Sequence, residues 1–256
     1  MMKSLYEQFH EHFEVIRVNS PQHLTEALKI RYQVYCLEQK YENPEHFPQG
    51  LESDIFDHHA DHSIIRHKAT NQTLGAVRLV VSKSISRQSF PIEQHFQGRY
   101  DGLLNELAVD RKCIGEVSRF AISNQFRRVI ESNSCTSHIF KQGKLVDRRN
   151  INNRVLYSHT VAGLINAVIR MSLDHNLTHW VCLMEPSLAR LLGRFGFEFK
   201  PLRTEELEND ARKPYFAVIY EELERIYHNN SDIWEMITDK GKLWGHPVSS
   251  SLIHIA

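Results

Sequence analysis

The segment 153–175 constrains the fold more than any other part of the chain. Its apolar residues recur at the spacing of one broad helix face, which predicts a long helix that packs along one side. These residues are Val155, Leu156, Val161, Leu164, Ile165, Val168, Ile169 and Met171. The order along the chain is strand, helix, three or more strands, this long helix, strand, helix and strands. That order predicts an α/β fold, with a mixed sheet covered by helices on both faces.

The predicted element bounds follow from alternating apolar residues in strands, and from prolines and glycines at helix ends. The strands are predicted at 13–18, 62–67, 74–82, 115–122, 178–184, 197–201 and 215–220, and the helices at about 21–38, 101–108, 153–175, 186–194 and from 221 onward. No change of composition marks a linker. We therefore expect a single domain over 1–256, with a basic insertion at about 123–152 and a C-terminal helical extension at about 221–256.

Charge is balanced over the whole chain but unevenly distributed along it. Lys and Arg total 31, as do Asp and Glu, and the pI is about 7.3. A general affinity for nucleic acid is therefore not expected. Between Arg111 and Arg154, however, ten basic residues stand against three acidic ones. This excess predicts either a face for an acidic partner or a solvated basic loop.

The cysteine pattern and the hydropathy favour the cytoplasm. The four cysteines, Cys36, Cys113, Cys135 and Cys182, contain no Cys-x-x-Cys pair, and a core of this size does not need disulfides. We expect reduced thiols. The N-terminus lacks the apolar run of a signal peptide, and no apolar stretch approaches the roughly 18 residues of a membrane span.

The long loop 39–60 carries a concentration of carboxylates. Loops of this length in compact domains are typically functional or disordered. Three carboxylates lie within six residues, Glu52, Asp54 and Asp57, and directly after them come His58, His59, Asp61 and His62. The cluster is a polar surface loop, a metal site, or an acidic site for a cationic or amine substrate. Because the His58–His62 pair is not predicted to lie on a helix and no cysteine is close, we expect no metal.

Charged residues also stand inside two strands that are otherwise apolar. Arg78 lies in one, and Glu116 and Arg119 lie in the other. In a regular strand Glu116 and Arg119 would point to opposite faces, but a bulge near Val117–Ser118 would bring both to one side. Buried charges are costly unless they are paired or used. On this strand alone, a structural ion pair is favoured over catalysis.

Together with Arg31 and Tyr35, which share a face of the helix predicted at 21–38, these residues form an ordered set. The set is Arg31, Tyr35, Glu52, Asp54, Asp57, Arg78, Glu116 and Arg119. Its patterns, Arg-x-x-x-Tyr, Glu-x-Asp-x-x-Asp, Gly-x-x-Arg-Leu and Glu-x-Ser-Arg-Phe, resemble those of the acyl-homoserine-lactone synthases. They equally resemble the related long-chain N-acyl amino acid synthases, and both families belong to the GNAT superfamily of acyltransferases.

Two later stretches, 184–192 and 212–215, resemble most closely the acyltransferases associated with the PEP-CTERM/exosortase system. The resemblance covers residues 20–125 strongly and 155–220 more weakly. It implies a GNAT sheet that is splayed between the strand ending near Ile122 and the strand 178–184, with the pantetheine arm of an acyl donor in the gap.

The resemblance also implies a co-substrate, acyl carrier protein or acyl-CoA, and no tightly bound cofactor. The loop 123–128 lacks glycine, which a backbone cradle for a pyrophosphate favours, so the acidic acyl carrier protein is the favoured donor. Basic side chains would dock this carrier by complementary charge. The residues assigned to docking are Arg127, Arg128, Lys141, Lys144, Arg148, Arg149 and Arg154.

The implied reaction is direct attack of an α-amine on an acyl thioester, with a carboxylate that takes the proton of the amine. Glu52 and Glu116 are the candidates for this base, and Glu116 is favoured because its strand fixes its position. The residues expected to bind substrate or to position the site are Arg31, Tyr35, Asp54, Asp57, Arg78, Ser118, Arg119 and Phe120. Asp54 and Asp57 would hold Arg31 or Arg119 in place, or bind the ammonium group. Arg31 and Arg119 could instead bind a carboxylate of the acceptor, and backbone N–H groups at the bulge would stabilise the oxyanion.

Three functions stay open from the sequence. The first is an N-acyltransferase that moves a fatty acyl group to an amino acid or related small amine. The second is a homoserine-lactone signal synthase that uses S-adenosylmethionine. The third is a non-catalytic module that binds acyl carrier protein or lipid and regulates a partner. The extension from residue 185 onward favours the first function over the second, and the intact charged set favours an enzyme over the third.

Overall fold

Strands and helices alternate along the chain in the predicted order. In this computed structural model the described residues are 3–82, 89–97, 102–124, 139–141, 144–146, 148–202 and 211–244. The helices are α1 (Leu5–His12), α2 (Pro21–Tyr32), α3 (Pro91–His95), α4 (Arg148–Asp174), α5 (Pro186–Gly193), α6 (Ile219–Asn229) and α7 (Ser231–Thr238). The strands are β1 (Phe13–Arg17), β2 (Ala60–His67), β3 (Gln72–Val81), β4 (Ile114–Ile122), β5 (Ile139–Lys141), β6 (Lys144–Val146), β7 (His179–Met184), β8 (Lys200–Pro201) and β9 (Lys213–Val218).

Seven strands form one mixed sheet in the order β1-β2-β3-β4-β7-β9-β8. The pairs are antiparallel except for β4 with β7, which run parallel. Strands β5 and β6 form a separate antiparallel pair inside the predicted insertion. The predicted α/β fold, with a hairpin at β2–β3, is confirmed.

Helices cover both faces of the sheet because successive strand residues point to opposite sides. On β2, Ile64 packs with Ala27 of α2 on one face, while Ile65 belongs to the core beneath α4 on the other. Helix α7 packs against α4 and α1. The predicted C-terminal extension therefore adds a further layer over α4.

The parallel strands β4 and β7 diverge after a short ladder. Their register joins Ile114 to His179 and ends where Glu116 meets Val181. Beyond that point the backbone groups of β4 that face β7 lie outside the ladder. The divergence is the splay implied by the sequence, and it opens a cleft between the two strands.

A β-bulge interrupts β4, but two residues later than predicted. Ala121 pairs with Ala76 and Ser118 with Arg78, so Arg119 and Phe120 together oppose a single residue of β3. Arg119 has a φ of +51°, a left-handed conformation that a non-glycine residue adopts only where its surroundings compensate. The expected bulge at Val117–Ser118 is therefore wrong in position, although its consequence for Arg119 holds.

Several predicted bounds also differ from the structure. The helix predicted at 21–38 is α2 followed by a π-helical turn, Gln33–Glu38. The helix predicted at 101–108 is a 3₁₀ turn, Leu103–Leu107. The strand predicted from 197 begins only at Lys200, because Phe197 follows a glycine turn and packs in the core.

Within the described ranges, none of the helices combines the length and the apolar character needed to cross a bilayer.

Gly75 on β3 offers a test of how closely β3 and β4 are packed beside the bulge. A Cβ at this position would lie 2.6 Å from the carbonyl oxygen of Ala121 and 3.2 Å from a methyl group of Leu164. Since the backbone oxygen cannot move away freely, we expect Gly75→Ala to lower the free energy of unfolding by about 1–3 kcal/mol. Urea denaturation measures the change.

The matched control is Gly193→Ala in α5, where an added Cβ meets no atom within 4 Å. Alanine there should be neutral or stabilising by about 0.5–1 kcal/mol. Equal effects of the two substitutions would show that the close approach of β3 and β4 does not limit stability.

Candidate active site

Arg31, at the end of α2, is enclosed by two carboxylates of the loop 39–60, which we call the acidic loop. Its Nε donates to Glu52 at 2.5 Å, and its two Nη atoms donate to Asp57 at 2.6 and 3.2 Å. The Arg31 side chain is 1% exposed. A guanidinium removed from water in this way requires full pairing, so Arg31 ties α2 to the loop.

Arg78, in the middle of β3, contacts the same loop from the sheet. It is fully buried, and its Nη1 donates to Asp54 at 2.5 Å and to Asp57 at 2.9 Å. Its Nε donates to Ser118 of β4 at 3.0 Å. The charge inside this apolar strand is thus paired by the loop packed over it, while Nη2 of Arg78 makes no hydrogen bond among the described residues.

The bulge brings Arg119 to the same side. Ile114, Glu116 and Ser118 alternate onto the α2 face, and the extra residue of the bulge turns Arg119 onto that face as well. Its Nη2 lies 3.0 Å from Glu52 and 3.3 Å from Asp54. Its guanidinium also lies over the Tyr35 ring at 5.1 Å, a favourable cation–π geometry.

Three guanidiniums and three carboxylates therefore balance in one cluster, which we call the ion-pair cluster: Arg31, Arg78, Arg119, Glu52, Asp54 and Asp57. Burial alone would raise the pKa of Glu52 and Asp57, but their arginine partners outweigh it and hold both pKa values below the usual range. Burial and the charge of Arg31 lower the pKa of the adjacent His62 to about 4. At neutral pH Glu52 and Asp57 are ionised and His62 is neutral.

Glu116 has the opposite environment. Its carboxylate accepts a hydrogen bond from the Ile92 amide of α3 at 2.8 Å, and Ile92 is anchored in a second apolar core. Burial is the dominant influence and raises the pKa of Glu116 to about 8. The side chain is 2% exposed. A carboxyl group held neutral near pH 7 but ionisable near pH 8 is suited to exchanging protons with a reactant.

Two cavities adjoin this cluster. The apolar cavity, about 390 Å³, lies in the cleft between β4 and β7 and is lined by aliphatic and aromatic side chains that include Val117, Phe120, Trp180 and Met184. The polar cavity, about 480 Å³, lies over the α2 face and contains Glu116.

The two cavities share part of their lining. The residues common to both are Tyr35, Ser118, Arg119, Leu183 and Arg212. A molecule in the apolar cavity and a second molecule in the polar cavity therefore meet at this boundary. Ser118 and Arg119 stand there because β4 forms the wall between the cavities.

The structure separates the sequence-predicted residues into two groups. Tyr35, Ser118, Arg119 and Asp54 line a cavity, as do Glu116 and Phe120. By contrast, Arg31, Arg78, Asp57 and Glu52 do not border either cavity. They contact one another and hold the loop against the sheet, which is the positioning role; a contact with substrate stays a prediction for them.

Glu52 in particular is unsuited to the role of base. Both of its oxygens accept hydrogen bonds from arginines, Oε2 from Arg31 and Arg119 and Oε1 from Arg119. Its lowered pKa makes its carboxylate a weak base. Of the two predicted candidates, the geometry favours Glu116.

Arg212 lines both cavities and was not among the predicted site residues. It directly precedes β9. The stretch 212–215 stood out in the sequence through its resemblance to known acyltransferases, which was the available signal. Periodicity gave none, because a residue at the end of a loop has no predictable neighbours.

The predicted docking residues are not placed at this site. Arg127 and Arg128 lie outside the described residues. For five others the backbone alone is described, in β5, in β6 and at the start of α4: Lys141, Lys144, Arg148, Arg149 and Arg154. Their docking role stays a prediction.

Neither a metal centre nor a cysteine nucleophile emerges from the described part of the chain. No group of three or more His, Cys, Asp and Glu side chains there is arranged to hold a metal ion. Burial raises the pKa of Cys182, which lines the apolar cavity, so its reactive thiolate form is suppressed.

Comparisons with known proteins agree with this architecture. Residues 30–131 match the acetyltransferase (GNAT) domain family, which agrees with the predicted class of enzyme, an acyltransferase. A search of curated proteins gives no match.

Solved structures share the fold at low sequence identity. TofI, in a complex with an inhibitor and MTA, has a TM-score of 0.53 at 15% identity, over 84% of this chain and 96% of that one. FeeM, an N-acyl amino acid synthase from uncultured soil microbes, has a TM-score of 0.50 at 14% identity, over 83% and 93%. BjaI, a CoA-dependent acyl-homoserine lactone synthase solved with SAM and isopentyl-CoA, has a TM-score of 0.50 at 18% identity, over 93% and 90%.

The raised pKa of Glu116 predicts a specific dependence of stability on pH. Its carboxyl titrates near 4.5 when the chain is unfolded and near 8 when it is folded. Between these values the unfolded chain loses a proton that the folded protein keeps, so this group lowers the free energy of unfolding as the pH rises to 8. We expect Glu116→Gln to gain stability relative to the wild type across this window, as measured by denaturant unfolding at successive pH values.

The control is Glu221→Gln, on an exposed part of α6. The free energy of unfolding of this variant should change with pH in the same way as that of the wild type. If the free energy of unfolding of Glu116→Gln also follows that of the wild type with pH, the pKa of Glu116 is ordinary and its environment is not the one described.

The ion-pair cluster makes a second prediction, for Glu52→Gln. Removing this charge leaves Arg31 and Arg119 buried with too few anions, and we expect a loss of about 3–5 kcal/mol in the free energy of unfolding. Glu45→Gln, an exposed change in the same loop, should cost less than about 0.5 kcal/mol. Similar small losses for both variants would show that Glu52 does not fasten the loop.

Proposed function

We propose that this protein is an N-acyltransferase that moves a fatty acyl group from a thioester to the α-amine of an amino acid or a related small amine. The observation that carries the proposal is the junction of the two cavities. The apolar cavity provides a wall of aliphatic and aromatic side chains for an acyl chain, and the polar cavity provides Glu116 for the amine. The thioester carbonyl would lie at the shared boundary.

The proton balance supports this reaction. An α-ammonium group has a pKa near 8, and the pKa of Glu116 is about 8, so proton transfer between them is nearly balanced in free energy. The neutral amine nitrogen then attacks the thioester carbon. The new C–N bond forms as the C–S bond breaks. The nitrogen loses a second proton as the amide forms, the departing thiolate takes up one proton, and the proton held by Glu116 is released to solvent. No acyl-enzyme is required.

The end of the β4–β7 ladder supports a place for the oxyanion. Backbone groups of β4 beyond Glu116 are released from pairing with β7, and this is where the bulge occurs. N–H groups that are free of the ladder and held rigidly by a strand are suited to stabilising the negative oxygen of a tetrahedral intermediate.

Glu38 supports acyl carrier protein as the donor rather than acyl-CoA. Its carboxylate accepts hydrogen bonds from the Asn124 amide at 2.9 Å and from the Ser123 hydroxyl at 2.9 Å. These residues begin the glycine-free loop that follows β4. An acidic side chain therefore occupies backbone donors at the start of the segment where a pyrophosphate cradle would be built.

The test is acyl transfer by the purified protein, with palmitoyl-acyl carrier protein and palmitoyl-CoA compared as donors and a mixture of the common L-amino acids as acceptors. Mass spectrometry should detect N-acyl amino acids, formed faster from the carrier protein. We expect Glu116→Gln to reduce the rate about 100-fold or more, because glutamine keeps the hydrogen bond from Ile92 but cannot take a proton.

Glu221→Gln is again the matched control and should retain the wild-type rate. A lactone formed only in the presence of S-adenosylmethionine would identify the protein as a signal synthase instead. Absence of any acylated product with both donors would contradict the proposal and favour a non-catalytic module.

A further inference from the structure

Arg212 is a cation without a carboxylate partner among the described residues. It is half-buried and borders both cavities. Its guanidinium lies over the ring of Tyr41, 5.6 Å from the ring centre. In the described part of the chain no acidic side chain lies within ion-pair distance of it.

The other arginine of the polar cavity is already neutralised. Arg119 contacts Glu52 at 3.0 Å, Asp54 at 3.3 Å and Glu42 at 3.4 Å. An anionic group entering this cavity would gain little from a guanidinium shared among three carboxylates. Arg212 is the guanidinium of the described lining that keeps its charge available.

The ring of Tyr41 provides a fixed face beneath the Arg212 guanidinium. Tyr41 is fixed by a hydrogen bond from its hydroxyl to Glu185 and by contact with the Tyr35 ring at 5.9 Å. A guanidinium that stacks on a ring face keeps its N–H groups pointing outward in its own plane. Those groups form the two-pronged arrangement that binds a carboxylate through paired hydrogen bonds.

The charges of the polar cavity are thus arranged with two signs. Glu42 and Asp54 share their negative charge with Arg119. Glu116 provides the proton acceptor for an ammonium group, and Arg212 provides a positive charge that no described carboxylate pairs. A zwitterion, with an ammonium and a carboxylate group on one carbon, complements this arrangement. A simple amine has no anionic group to pair with the positive charge of Arg212.

We propose that Arg212 binds the carboxylate of the acceptor and thereby selects α-amino acids over the corresponding simple amines. This inference rests on the acyl transfer proposed above, and it assigns the carboxylate to Arg212 in place of the predicted ligands, Arg31 and Arg119, which are paired with carboxylates of the protein.

The experiment compares each amino acid with its decarboxylated counterpart under the same donor. The pairs are L-leucine with isoamylamine, L-phenylalanine with phenethylamine, and L-serine with ethanolamine. Wild-type protein should prefer the amino acid of a pair. In Arg212→Met, kcat/KM for the amino acid should fall about 10-fold to 100-fold, mainly through KM, since a charge-assisted pair of hydrogen bonds is lost. The rate with the amine should change less than about threefold.

Two further variants sharpen the result. Arg212→Lys keeps the charge but loses the planar arrangement of donors, so it should recover part of the preference. Arg194→Met removes an exposed arginine beyond α5 and should leave both acceptors at wild-type rates.

The possible failures are distinguishable. Equal losses for both members of a pair, or an effect confined to the KM of the acyl donor, would overturn the role of Arg212 while leaving the acyl transfer intact. Absence of N-acylated product from every amino acid and every amine would overturn the proposed function, and this inference with it.

Discussion

The buried contact of Arg31 and Arg119 with Glu52 is the interaction on which the site depends. It joins three parts of the chain that are distant in sequence: α2, the acidic loop and the bulge of β4. Charges removed from water are retained at low cost only when each has partners in good geometry. Because this cluster is balanced, the loop is held in one place, and the wall of the polar cavity is held with it.

Two glutamates on the same face of the sheet show how environment divides the chemistry. Glu52 lies between guanidiniums and remains a stable anion, so its task is to hold other groups. Glu116 is removed from water and accepts one described backbone hydrogen bond, so burial has the largest effect on its pKa and its proton is exchangeable near neutral pH. Identical side chains whose pKa values are driven apart are typical of sites that need both a fixed charge and a base.

The sequence predicted much of the fold because the apolar pattern and the topology agree. The periodicity of 153–175 predicted α4, and the alternation in 62–67 and 74–82 predicted the hairpin of β2 and β3. The charged set was found because arginine and glutamate inside apolar strands require partners.

Periodicity could not predict the exact position of the bulge, which depends on where β3 and β4 come into register. It also could not separate Glu52 from Glu116, since their difference arises from neighbours contributed by remote segments. Arg212 was missed for the same reason, as its neighbour Tyr41 comes from a loop far away along the chain.

One strand, β4, organises the boundary between the two cavities. Its pairing with β7 ends at Glu116, so the residue that we assign as base is also the last one in the ladder. The next residues form the wall of the apolar cavity and then the bulge, which turns Arg119 back toward the ion-pair cluster. A regular strand would have directed Arg119 into the apolar face, where its charge would be unpaired. The strained backbone at this residue is therefore compensated by the ion pairs that it permits, and the same distortion places the cleft beside the base.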